Sequence, residues 1–130
     1  MPAVVVEVRR AYAPEHERAI MDAVHAALVD AFRIPADDRD VRLVVHEPHR
    51  FACSPALSHP ELRTIVTIDC FAGRSPSAKR SLYAGIADRL EALGIPRDHV
   101  STILHEVEPE NWGARGRAAG DVDLGFQIDV

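Results

Sequence analysis

Four short stretches of this sequence carry residue types that could do acid–base or anion chemistry: MPAV, PADDRD, AGRSP and NWGARGR. In the first, Pro2 follows the initiator methionine. Loss of Met1 at this small-residue processing site would leave a free secondary amine, a group no internal residue can offer. An unperturbed α-amino group titrates near ~7.7–8.0. Apolar surroundings or a neighbouring arginine lower that value, because both disfavour the charged amine. A base poised near neutrality suits proton transfer at carbon. While Met1 remains, the Pro2 nitrogen is an amide without a usable lone pair.

In AGRSP, Arg74 stands directly before Ser75 and Pro76. Ser75 is a good helix cap and Pro76 a good first helical residue. Arg74 therefore falls between a strand's carboxyl end and a helix amino terminus, a natural anion site. Its planar guanidinium matches a carboxylate in a bidentate pair. PADDRD places three carboxylates, Asp37, Asp38 and Asp40, in one loop, and the sequence alone leaves all three open. NWGARGR brings Trp112, Arg115 and Arg117 after a strand, where loops carry function more often than strands do. Trp112 reads either as a pocket wall or as a subunit contact, and Arg115 as a second anion ligand. His25, one helical turn from Met21 and Leu28, reads either as a hydrogen-bonded residue at the core edge or as part of the site.

The elements that position these residues follow from patterning. Ala3–Val8 is apolar and β-branched apart from Glu7, which predicts a strand. Pro14 opens a helix whose apolar positions run from Ile20 to Phe32, ending before Pro35. Val41–His46 predicts the second strand. Thr64–Phe71, a helix from Pro76 with Leu82, Ile86, Leu90 and Leu93 on one side, and Val100–Glu106 repeat the pattern. Gly94 supplies the left-handed helix end. The repeat is also literal: AFRIPADDRDVRLVVHEPHRF and ALGIPRDHVSTILHEVEPENW share Ile-Pro, an acidic turn, an apolar run and His-Glu. The expected fold is α/β (α+β): two tandem β-α-β units, residues 1–60 and 61–130 of one domain, form a four-stranded sheet with both helices on one face. The tail DVDLGFQIDV alternates Val122, Leu124, Phe126, Ile128 and Val130, which predicts a further strand, added to a neighbouring subunit's sheet. A sheet with one uncovered face also predicts an oligomer.

Composition narrows the function. The chain has 130 residues, 47% hydrophobic and 27% charged, with a net charge of −5. An acidic chain lacks the basic face that nucleic acid requires. No apolar run approaches a membrane span of ~18 residues. No secretion signal is evident, so a cytoplasmic protein is expected. Cys53 and Cys70 make neither a disulfide framework nor a metal motif. HEPHR is H-E-x-H around a proline, not the helical H-E-x-x-H of zinc proteases. No metal and no cofactor are expected.

Taken together, Pro2, the duplicated unit, IPADDRD, FAGRSPSAKR and NWGARG…DVDLGF resemble the tautomerase superfamily over essentially the whole chain. The likeness is to the long-chain members, such as malonate semialdehyde decarboxylase and the cis-3-chloroacrylic acid dehalogenases. It implies a tautomerase/MIF-like fold, a homotrimer, no cofactor and a small carboxylic acid substrate. It also implies Pro2 as the catalytic group, Arg74 holding and polarising the substrate, and Asp38 activating water beside the proline. Arg115, Trp112 and His25 become substrate-binding candidates. The decarboxylase-like members carry two arginines at R-x-R spacing, and Ala72 stands where the first should be. That departure favours a keto–enol isomerase with Pro2 as base. The alternatives are the same site with protonated Pro2 as acid in hydration, dehalogenation or decarboxylation, and a non-catalytic ferredoxin-like binding module.

Overall fold

A computed structural model describes all residues, Met1–Val130. Strand β1 (Ala3–Val8) leads to helix α1 (Pro14–Phe32) and strand β2 (Val41–Val45). Strand β3 (Thr64–Phe71), helix α2 (Pro76–Ala92) and strand β4 (Val100–Val107) repeat that order. Two short strands, β5 (Gly113–Ala114) and β6 (Arg117–Ala118), close a hairpin after β4. The main sheet runs β2-β1-β3-β4. Within each β-α-β unit the two strands are parallel, and β1 meets β3 antiparallel at the centre.

Both helices pack on one sheet face. Val4, Val6 and Val8 of β1 and Val66, Ile68 and Cys70 of β3 are buried beneath Ile20, Val24, Leu28 and Phe32 of α1 and Leu82, Ile86 and Leu90 of α2. Period two in the strands meets period 3.6 in the helices, and the two apolar faces remove each other from water. Each helix is started and stopped by local chemistry. Ser75 Oγ accepts the Ala78 amide at 3.0 Å, while Ala13 has no side chain to cap α1 and leaves that start to Pro14. At the end of α2, Gly94 adopts φ +93°, and the Ile95 and Gly94 amides donate to the Leu90 and Glu91 carbonyls, a Schellman motif.

The opposite sheet face has no helix over it. Val44 and Ile103 are exposed there.

Within the single chain the tail forms no strand of its own. Residues 119–121 make one 3₁₀ turn, and 122–130 are irregular. Strict alternation gives a segment one apolar face, but a strand also needs a ladder partner for its amides and carbonyls. Within one chain the tail lies back on its own body. Phe126 packs against the core, and the Val130 carbonyl accepts the Ser75 amide at 2.9 Å. Gly73 permits this approach. Its φ is +133°, and a side chain at that position would put a Cβ 3.0 Å from Ile128 Cγ2.

The pairing collects loops at two ends. The start of β1, the loop before β2, the loop after β3 and the segment after β4 meet at one end. The loop after β1 and the segments before β3 and β4 meet at the other. Gly73→Ala is expected to cost about 1–3 kcal/mol through its forced backbone conformation. The check is the denaturation midpoint, with hydrogen exchange at Ser75 rising in the variant.

Candidate active site

The first end of the sheet gathers the chemistry. The terminal amine of Met1 lies 3.3 Å from Asp38 Oδ2, and no other partner reaches that oxygen. Pro2 is buried directly behind it. Asp38 is held by a turn in which its amide donates to the Pro35 carbonyl at 3.0 Å. Of the three loop carboxylates, Asp38 is therefore the one at the amine. Asp37 lines the same cavity, and the Asp40 carbonyl is spent on the Val4 amide.

Arg74 stands behind the amine with 5% of its surface exposed. Its guanidinium lies over the Phe32 ring, 4.8 Å from the centroid, and Nη1 donates to the Phe71 carbonyl at 3.1 Å. Nε and Nη2 have no partner. Those two nitrogens form the side-on edge of the guanidinium, the fork that fits a carboxylate. A buried donor without a partner costs about 1–3 kcal/mol, so the fold keeps this fork unpaired at a cost.

The fields in this pocket oppose one another. Burial lowers the Met1 amine from its ordinary value, Asp38 raises it by charge and hydrogen bonding, and Arg74 lowers it, for a net downward shift. Burial pushes the Cys70 thiol up, while Arg74 pulls it down. Burial also lowers Arg74, against the fields of Cys70, Asp38 and Glu106.

A cavity of about 360 Å³ opens in front of the amine. It is lined by Met1, Asp37, Asp38 and Arg115, with Val122, Asp123 and Leu124 of the tail. Arg115 reaches it from the β5–β6 turn, where Arg115 (φ +55°) and Gly116 (φ +75°) both adopt left-handed backbone. That pair of angles marks a two-residue hairpin turn of type I′, unusual for arginine at the first position. The tail residues were not singled out from sequence, because their alternation reads as a strand rather than as a cavity wall.

Trp112 lies apart from this cavity. Its ring packs on Phe71 at 5.0 Å between centroids, in a separate hollow with Ala3, Asp69 and Asn111. His25 is also outside. Its Nε2 pairs with the Ala36 carbonyl at 2.7 Å, two residues ahead of Asp38. His46 of the HEPHR stretch pairs with Glu7 at 2.9 Å, and no three His, Cys, Asp or Glu side chains are grouped to hold a metal ion.

The family model described as tautomerase enzyme matches residues 38–115. The chain belongs to the tautomerase family. Among curated proteins, none matches the sequence. The chain is similar to solved structures along nearly its whole length. The FG41 malonate semialdehyde decarboxylase inhibited by 3-bromopropiolate is 30% identical, with a TM-score of 0.74 over 92% of this chain and 97% of that one. A malonate semialdehyde decarboxylase with decarboxylase and hydratase activities is 26% identical, with a TM-score of 0.81 over 93% and 99%. An asymmetric trimer of fused 4-OT shares the fold at 18% identity, with a TM-score of 0.83 over 95% and 99%. The family match begins at Asp38 and ends at Arg115, so Pro2 is tied to the site by the fold alone.

Two outcomes follow. Asp38→Asn removes the charge that raises the terminal amine, so the amine should titrate lower still, as read by ¹⁵N NMR of the amino terminus. His25→Ala orphans the Ala36 carbonyl and is expected to cost about 1–3 kcal/mol, with faster amide exchange across residues 36–38.

Proposed function

We propose that this protein, freed of Met1, moves a proton on a small 2-keto or enol carboxylic acid, with the Pro2 nitrogen as base. The observation that carries the reading is the unpartnered Nε/Nη2 edge of Arg74, buried beside the amino terminus at 5% exposure. It is a ready carboxylate fork within the field of the group that would take the proton.

Met1 must leave first. With it in place, the Pro2 nitrogen is acylated and the Met1 side chain lines the cavity. Once exposed, the Pro2 amine inherits a buried position near Arg74, which favours its neutral form. Ketonisation then proceeds in two proton transfers. The nitrogen lone pair takes the enol O–H proton, and the oxygen electrons form the carbonyl. The carbon–carbon π pair takes a proton from the pyrrolidinium at the neighbouring carbon. Arg74 holds the substrate carboxylate, and Arg115 stabilises the enolate oxygen as charge gathers there.

A second reading uses the same residues with Pro2 protonated. It is favoured by the 3.3 Å approach of Asp38, which stabilises a cation at the terminus and is placed to activate water. The similarity to the decarboxylases supports it. The Pro2 pKa separates the two: below 8 it acts as base, above 8 as acid. The uncovered sheet face and the trimers among the fused 4-OT structures support a homotrimer for this chain.

With phenylenolpyruvate as substrate, Pro2→Ala in the processed protein is expected to lower kcat/KM by about 10²-fold or more, the range for a lost acid–base group. Equal rates for the two proteins would exclude Pro2 as the base. Arg74→Lys keeps the charge but loses the fork, so KM should rise more than kcat falls.

A further inference from the structure

The far end of the sheet holds a second cavity, of about 480 Å³, with a different lining. Its walls are Leu62, Leu93 and Ile95 on one side and Arg10, Tyr12 and His16 on the other. The three polar side chains form one stack. The Tyr12 and His16 rings lie nearly parallel, 13° apart with centroids at 4.9 Å. The Arg10 guanidinium sits over the Tyr12 ring at 4.9 Å. The Tyr12 hydroxyl and His16 Nε2 are both shielded from water and have no hydrogen-bond partner. Two unpartnered polar atoms beside one cavity, under one cation, describe a site for a group that accepts hydrogen bonds and carries negative charge.

The internal duplication shows what this place is. Tyr12 stands two residues before the helix-opening Pro14, as Arg74 stands two before Pro76. In the Ile-Pro repeat, His99 falls where Asp38 falls. This end is thus the counterpart of the first site in the other half of the chain, with its chemistry replaced. His99 is fully buried and has both ring nitrogens engaged, Nδ1 with Asp98 at 2.7 Å and Nε2 with the His59 amide at 3.1 Å. The strand that starts here, β3, is internal to the chain and has no terminal amine. No proton-transfer pair is present, but binding groups are.

We propose that this second cavity binds a small carboxylic acid with an apolar body, without turning it over. The carboxylate accepts hydrogen bonds from the Tyr12 hydroxyl and from His16 in its Nε2–H form, under the Arg10 charge. The apolar body packs against Leu62, Leu93 and Ile95. Burial pushes the Tyr12 phenol up, against the Arg10 charge and with the field of Glu61, and it is a donor at neutral pH. The neighbouring carboxylates have partners of their own: Glu17 accepts from the Tyr12 amide at 3.4 Å, and Glu61 lies 3.7 Å from His59. The proposal does not depend on Pro2 being catalytic.

The test is methyl NMR of the full chain titrated with 3-phenylpropionate, which has no keto or enol group to react. Leu62, Leu93 and Ile95 methyls should shift saturably in the unaltered chain and equally in Arg74→Ala. Tyr12→Phe keeps the ring stack and deletes only the hydroxyl, and should weaken binding about tenfold, the loss of one hydrogen bond to a charged group. Arg10→Ala, at an exposed position, should weaken it as well. Shifts confined to Val122 and Leu124, or unchanged affinity in both Tyr12→Phe and Arg10→Ala, overturn the proposal.

Discussion

Arg74 holds a full positive charge almost out of reach of water, and the architecture around the first site answers to that fact. A desolvated guanidinium must be compensated or it costs several kcal/mol. Compensation here is incomplete. One nitrogen donates to the Phe71 carbonyl and the cation faces the Phe32 ring, while two donors remain free. Phe71 ends β3 and Phe32 ends α1, so the charge is held where the core's last layer meets the loops. Asp38 contributes at a distance, paired to the terminal amine rather than to the arginine. An arginine bonded fully to Asp38 would be more comfortable, and it would have nothing left for a ligand.

The amine obeys the same constraint with opposite sign. Burial and Arg74 push it towards neutrality, and Asp38 pulls it back towards charge. The terminus thus sits between a carboxylate that favours its charge and an arginine that opposes it, with burial the largest influence. Membership in the family leaves the reaction open.

Duplication accounts for the rest. Two β-α-β units related by an internal repeat create two equivalent ends, and only one has a chain terminus. The end with the terminus carries the amine, the carboxylate and the bare arginine. The other end carries an aromatic stack in the arginine's place and a buried histidine in the aspartate's place. The chain runs on through that end, so it holds no terminal amine.

Much of this was legible in the linear chain. Local rules decide strands, helices and caps, so β1, α1, β3, α2 and β4 were readable to within a residue or two, and Ser75 and Gly94 cap as their chemistry requires. Arg74 was legible because its place between a strand and a helix start is a local property. The tail's alternation specified a face but not the ladder partner that makes a strand, and within the single chain it has none. Which of Asp37, Asp38 and Asp40 meets the amine, that His25 braces their loop, and that Trp112 faces a separate hollow were settled only by packing. Those are matters of ångströms between segments far apart in the chain, and residue types fix chemistry without fixing distance. Arg74's two free donors belong to both accounts: sequence supplied the arginine, and only the tertiary structure left them without a partner.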